Sequence, residues 1–176
     1  VDRVENAKES QKDAQEPFSS ALEAFSAAVA FDGGELEEVY DRLNGQYEDS
    51  VAASEEVSAR IDKVESVAEA LFDEWSEELD KYENASLKRD SAAKLRETQR
   101  RYTSLMKAMR KAESKMPPVL NALQDNVLYL KHNLNASAIG ALQGELSTIE
   151  NNVAQLIGQM NSAIAESDAF IASMKN

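Results

Sequence analysis

Between Leu36 and Tyr82 the apolar residues recur about every 3.5 positions without a change of phase, and few patterns confine a chain more tightly. The positions are Leu36, Val39, Leu43, Tyr47, Val57, Ile61, Val64, Leu71, Trp75, Leu79 and Tyr82, with small Ser50, Ser54 and Ala68 filling the intervening steps. A straight α-helix repeats every 3.6 residues. A 3.5 period held over so many turns therefore predicts a long helix that supercoils with its neighbours, not a short amphipathic helix on a globule. One local signal opposes this. Asn44-Gly45 would make a tight hairpin turn between two strands, but the period crosses it unbroken, so the helix is kept at a cost of about 1 kcal/mol for Gly45 relative to alanine.

Two further segments repeat the three-four spacing. One carries Leu87, Leu95, Tyr102, Leu105, Met109, Met116, Leu120, Leu123, Leu130 and Leu134; the other carries Ile139, Leu142, Leu146, Ile149, Val153, Leu156, Met160 and Ile164. Pro117 and Pro118 interrupt the former by removing two backbone donors and disfavouring helical dihedrals at Met116, which predicts a kink there before a full break. Pro17 predicts a similar disturbance in the first segment, or the start of its well-packed half, because the residues before it are mostly polar. Three short stretches punctuate the chain. "FDGGELEE" offers Gly33 and Gly34 to end one helix and Asp32 and Glu35 to begin another. "YENASLKRD" offers Asn84 or Ser86 as a cap, and "HNLNASAIG" offers Asn135 or Ser137. The resulting helices lie near residues 2–31, 35–82, 86–133 and 136–174. Ala, Glu, Lys, Leu and Arg supply close to half of the 176 residues, the composition of long-helix proteins. The expected fold is all-α: a single helical domain over residues 1–176, an elongated antiparallel four-helix bundle with coiled-coil-like packing and a proline kink in helix 3.

Charge is distributed unevenly along this frame. The formal net charge is −13. Residues 32–83 hold four basic and eighteen acidic side chains, whereas residues 86–116 hold ten basic and three acidic ones. A hairpin at Asn84 brings the two stretches side by side, with Glu65 and Glu69 at about the level of Arg100 and Arg101. Lys88, Lys94, Arg96, Arg100 and Arg101 are thus expected to serve the fold by facing the acidic helix and fixing its register. Binding of nucleic acid or anionic membrane through residues 88–115 is the alternative. It must overcome the overall acidity, and its basic stripe carries a single aromatic, Tyr102.

Catalytic signatures are scarce. His132 is the only histidine, "YLKHNLN" contains no nucleophile motif, and one histidine cannot furnish the paired Glu-x-x-His sites of di-iron bundles. Acidic clusters such as "ELEEVYD" lack a calcium loop and its glycine, Gly140 and Gly144 suit close helix contact, and there is no cysteine. No enzyme activity, metal or cofactor is expected. "DNVLYLKHNLNASAIGALQ" differs from the other helical stretches because Val127, Leu128, Tyr129, Leu130 and Leu134 are apolar on more than one face, which marks them as the candidate contact surface for a protein partner.

The stretches "FDGGELEEVYDRLNGQYEDS", "LFDEWSEELDKYENASLKRDSAAKLRETQRRY" and "DNVLYLKHNLNASAIGALQGEL" resemble a family of uncharacterised gammaproteobacterial proteins known as a domain of unknown function. The resemblance covers nearly the whole chain. It implies a lipoprotein-type signal peptide upstream and hence a periplasmic, lipid-anchored protein, in keeping with a chain that starts at Val1 without an initiator Met. It implies no catalytic residues. The expectation is a noncatalytic helical interaction or scaffold protein of the bacterial cell envelope, touching membrane only through an N-terminal anchor, with its partner and oligomeric state open.

Overall fold

In a computed structural model, residues 1–31 and 34–175 are described, and these residues form helices and connecting turns without a strand. The helices are α1 (Asp2–Val29), α2 (Leu36–Leu79), α3 (Ala85–Ser114), α4 (Met116–His132), α5 (Ala136–Gln143) and α6 (Leu146–Lys175). With 44 residues, α2 extends about 66 Å at 1.5 Å per residue. It runs unbroken through Asn44-Gly45, because the apolar seam on either side outweighs the local turn preference.

The capping expectations resolve individually. Asn84 accepts a hydrogen bond from the Leu87 amide at 3.0 Å and opens α3; Asn135 accepts one from the Ala138 amide at 3.2 Å and opens α5. At the first turn, Gly34 adopts φ of 109°, a conformation that side chains with a Cβ resist. Glu35 precedes α2 without a side-chain cap, and Asp32 and Gly33 lie outside the described residues.

Two helices expected to be long are divided. The third segment is interrupted at Lys115, whose amide reaches back only three residues, to the Ala112 carbonyl at 3.1 Å. Pro117 and Pro118 then occupy the first positions of α4, where a missing N–H costs nothing. The fourth segment, expected to run from 136 to 174, breaks at Gly144-Glu145: the Glu145 amide bonds to Leu142 at 3.0 Å, an i to i−3 step that ends α5. Gly144 has the lowest helix propensity short of proline, so the chain yields there. Pro17, by contrast, sits inside an unbroken α1. It does not mark the start of the packed half, since Val4, Ala7, Ser10, Gln11 and Ala14 before it are buried as well. Small Ala7, Ser10 and Ala14 among them suit a close approach of neighbouring helices, and the Ser50 hydroxyl of α2 lies 3.2 Å from the Pro17 carbonyl. Gln11 is fully buried, and among the described residues neither of its side-chain polar atoms has a hydrogen-bond partner.

The principal contacts join α1 to α2 and α6, α3 to α2 and α6, and α4 to α2 and α6. Residue order reverses across these contacts. Lys8 meets Asp168 and Gln15 meets Asn161 between α1 and α6; Arg60 reaches the Asn6 carbonyl while Ser50 approaches Pro17. Phe18, Phe25, Leu43, Ile61, Leu105, Met109, Leu123 and Leu156 are fully buried in one continuous core. Each such side chain contributes roughly 1.5–3 kcal/mol of transfer free energy. The core has an end: no residue from 65 to 94 is buried.

Candidate functional site

The run 127–134 covers the last residues of α4 and the start of the connection after it, and its apolar residues divide between two environments. Val127 and Leu130 continue the inward seam of Val119 and Leu123 and are buried. Leu128 (49 % exposed), Tyr129 (43 %) and Leu134 (45 %) face outward. The backbone here is held locally: the Asn133 side chain donates to the Tyr129 carbonyl at 2.9 Å, and Asn126 donates to the Ala122 carbonyl at 2.7 Å. Beside Tyr129 lies a cavity of about 300 Å³ whose wall includes Asp125, Asn126, Leu142 and Glu145. The spacing of the sequence thus separates into three outward side chains that share one end of the protein and two that anchor it.

The basic stretch distributes its charges differently from expectation. Lys88 approaches Asp80, just past the end of α2, at 3.9 Å, with both side chains exposed. Lys94 pairs instead with Asp90, and Arg100 and Arg101 both pair with Glu97, all within α3. Arg96 is exposed on the same helix. Glu65 meets Arg110, not Arg100 or Arg101: the guanidinium lies 3.0 Å from Asp62, 3.1 Å from Glu65 and 3.1 Å from Glu113. Burial works against this charge, but hydrogen bonds to Glu65, Asp62 and Glu113 outweigh it and hold the pKa above the ordinary arginine value. The partner of Glu65 thus lies nine to ten residues further along α3 than the expected Arg100 and Arg101. Packing governs the register, with the ring of Phe72 meeting that of Tyr102 edge-on at 5.4 Å between centroids. Burial, together with Glu65 and Glu69, raises the Tyr102 phenol pKa.

The opposite end of the protein carries a second apolar surface that the sequence pattern assigned to the seam. Leu71 (45 % exposed), Tyr82 (40 %) and Leu87 (57 %) occupy inward positions of the repeat yet lie open, as does Val67 (42 %). Trp75 is half-buried and donates its indole N–H to the Ser91 hydroxyl at 2.8 Å. These residues lie toward the α2–α3 turn, where residues 65–94 include no buried side chain. A groove of about 490 Å³ marks the place, where Val1 and Met174 at the ends of α1 and α6 meet Val67, Leu71, Phe72 and Tyr102.

Chemistry beyond packing is sparse in these surfaces. Among the described residues no three His, Asp or Glu side chains converge as a metal site, and no helix is long and apolar enough to cross a membrane. His132 is exposed at the end of α4. Across the protein, Lys8 and Asp168 form an ion pair at 2.8 Å between α1 and α6. Their hydrogen bond raises the lysine pKa and lowers that of the carboxylate. A family model described as a protein of unknown function (DUF2959) matches residues 1–174. No similar curated protein was found.

Proposed function

The chain belongs to the DUF2959 family, and on that premise we propose that it is a noncatalytic, elongated helical interaction or scaffold protein of the bacterial cell envelope. In this reading the body is an antiparallel bundle of four rods, namely α1, α2, α3 bent into α4 at the Pro117 kink, and α5 continued by α6. The reversed residue order of the α1–α6 and α1–α2 contacts supports it. The envelope assignment rests on the resemblance to exported, lipoprotein-type proteins, which also supplies the periplasmic placement through an upstream anchor.

The observation that carries the interaction role is the exposed trio of Leu128 and Tyr129 on α4, whose other face is buried in the core, and Leu134 just past the end of that helix. Large apolar side chains grouped on a surface and fixed by packing are features of contact sites, because binding them loses little side-chain entropy. A photo-crosslinking amino acid at position 128 in the full-length protein in cells is expected to yield a discrete protein adduct that the same probe at exposed Lys107 does not. Equal labelling from both positions would sink the proposal. Fractionation that places the full-length protein in the cytosol would sink the envelope assignment. The alternative, nucleic-acid or membrane binding through residues 88–115, is weakened by internal pairing of Lys94, Arg100 and Arg101 with carboxylates of their own helix.

A further inference from the structure

The cavity beside Tyr129 is built from one stripe of α4 and from the break after α5. Ala122, Asp125, Asn126 and Tyr129 follow one another at steps of three, one and three, which places them on a single face of the helix. Leu142 joins the wall from α5, and Glu145 joins it from the turn where the helix gives way at Gly144. Asp125 also precedes Leu128 by three residues and Tyr129 by four, so it borders both outward side chains of the contact surface.

The chemistry of this wall calls for a cation. Asp125 and Glu145 are exposed, and neither has a basic side chain within ion-pair distance among the described residues. Asn126 points the same way independently of charge. Its side chain is only 7 % exposed and turns its Nδ2 back to the Ala122 carbonyl at 2.7 Å, which leaves the amide oxygen without a hydrogen-bond partner among the described residues. That oxygen is not sealed in the core as the polar atoms of Gln11 are; it is reached from the cavity that Asn126 lines. A nearly buried acceptor gains most from a donor brought to it. The half-open ring of Tyr129 supplies a face on which a flat cation can stack.

We infer that this cavity receives the guanidinium of an arginine carried by the protein that covers Leu128 and Tyr129. A volume of about 300 Å³ lies at the small end for a ligand pocket and suits one long side chain. Arginine answers each element of the wall: its planar fork of N–H donors serves carboxylates and the amide oxygen while the same plane stacks on an aromatic ring. Anionic lipid or nucleic acid does not fit, because two carboxylates stand where phosphate would have to approach. A second copy would bring one chain of net −13 against another. The inference rests on the interaction reading above and names the chemistry of its partner.

The test titrates the intact chain, labelled with nitrogen-15, with the blocked peptide Leu-Arg-Leu and with the same peptide carrying citrulline, the uncharged isostere of arginine. The arginine peptide is expected to shift the amides of Asp125, Asn126, Tyr129 and Glu145, and the citrulline peptide to bind about fivefold more weakly. Asp125→Asn with Glu145→Gln removes both charges at exposed positions and should weaken the arginine peptide to a similar degree. Glu74→Gln with Glu78→Gln removes two exposed charges elsewhere and should change nothing. Shifts that avoid the cavity, equal binding of the two peptides, or equal losses in the two double variants overturn the inference. So does sedimentation of the wild-type chain as a dimer that Asp125→Asn with Glu145→Gln converts to a monomer, since the cavity would then hold a second copy. A discrete adduct from position 128 without binding of the arginine peptide sinks the inference and spares the interaction reading. Equal labelling from positions 128 and 107, with the peptide still seated in the cavity, does the reverse.

Discussion

Replacing Gly45 by alanine tests whether α2 is one helix. Gly45 lies nine residues inside α2, and a Cβ built there finds nothing within 4 Å, so the substitution adds no clash and little packing. What remains is the backbone term. Alanine loses less conformational freedom than glycine on entering a helix, a gain of roughly 0.5–1 kcal/mol. For a chain of this size that corresponds to a rise in Tm of about 1–4 °C. Urea denaturation at 25 °C should show a higher midpoint with an unchanged slope, and calorimetry should show the matching rise in Tm. Gly34 provides the internal control. At φ of 109°, with the Phe31 ring 3.7 Å from an added Cβ, Gly34→Ala should destabilise by about 1–2 kcal/mol. A Gly45→Ala chain that is destabilised would refute the reasoning, since it would mean that Asn44-Gly45 turns the chain as its local preference suggests.

Three further outcomes are expected. Arg110→Met should cost about 1 kcal/mol, because the partly exposed guanidinium gathers Asp62, Glu65 and Glu113, and the loss should shrink in 1 M salt when measured by urea denaturation. Asp168→Asn should be less stable than wild type at neutral pH. Because the folded carboxylate has the lower pKa, the difference should disappear as pH falls from about 4 through that value, which stability curves against pH will reveal. Tyr102→Phe should flatten the alkaline limb of the same curves. The folded phenol keeps its proton to higher pH than the unfolded one, so the wild type loses stability from about pH 10 upward and the variant lacks that contribution.

The helical nature of the chain and most of its core were legible in the repeat, because burial along a helix is periodic and Leu43, Val57, Ile61 and Val64 announce it residue by residue. The Asn84 and Asn135 caps were legible for a local reason: a short side-chain acceptor needs only the amide three residues on. What the pattern could not convey was where a helix lacks a neighbour. Leu71, Tyr82 and Leu87 satisfy the repeat as well as Ile61 does, yet they lie exposed. Charge misled in a related way. Arg100 and Arg101 were assigned to α2 by composition, but Glu97 lies three and four residues away on their own helix and reaches them first. The split at 127–134 needed side-chain directions, since an apolar run of mixed periodicity does not say which members point inward.

The pairing of Lys8 with Asp168 has a consequence for how the chain assembles. The two residues are 160 apart in sequence, whereas the Trp75–Ser91 contact of the α2–α3 hairpin spans 16. Closing a loop ten times longer costs about 2 kcal/mol more in chain entropy, by the logarithmic dependence on length. That cost falls due before the α1–α6 contacts can repay any of it. The hypothesis is that the two helices joined at Asn84 zip first and the α1–α6 seam closes last, as the step that completes the cooperative unit. Substitutions along the seam, such as Asp168→Asn, should then speed unfolding and leave the folding rate nearly unchanged, while packing substitutions between α2 and α3, such as Phe72→Ala, should slow folding. Stopped-flow rates with the reverse assignment would place the long closure at the start, and the order of events would have to be read from the ends of the chain inward.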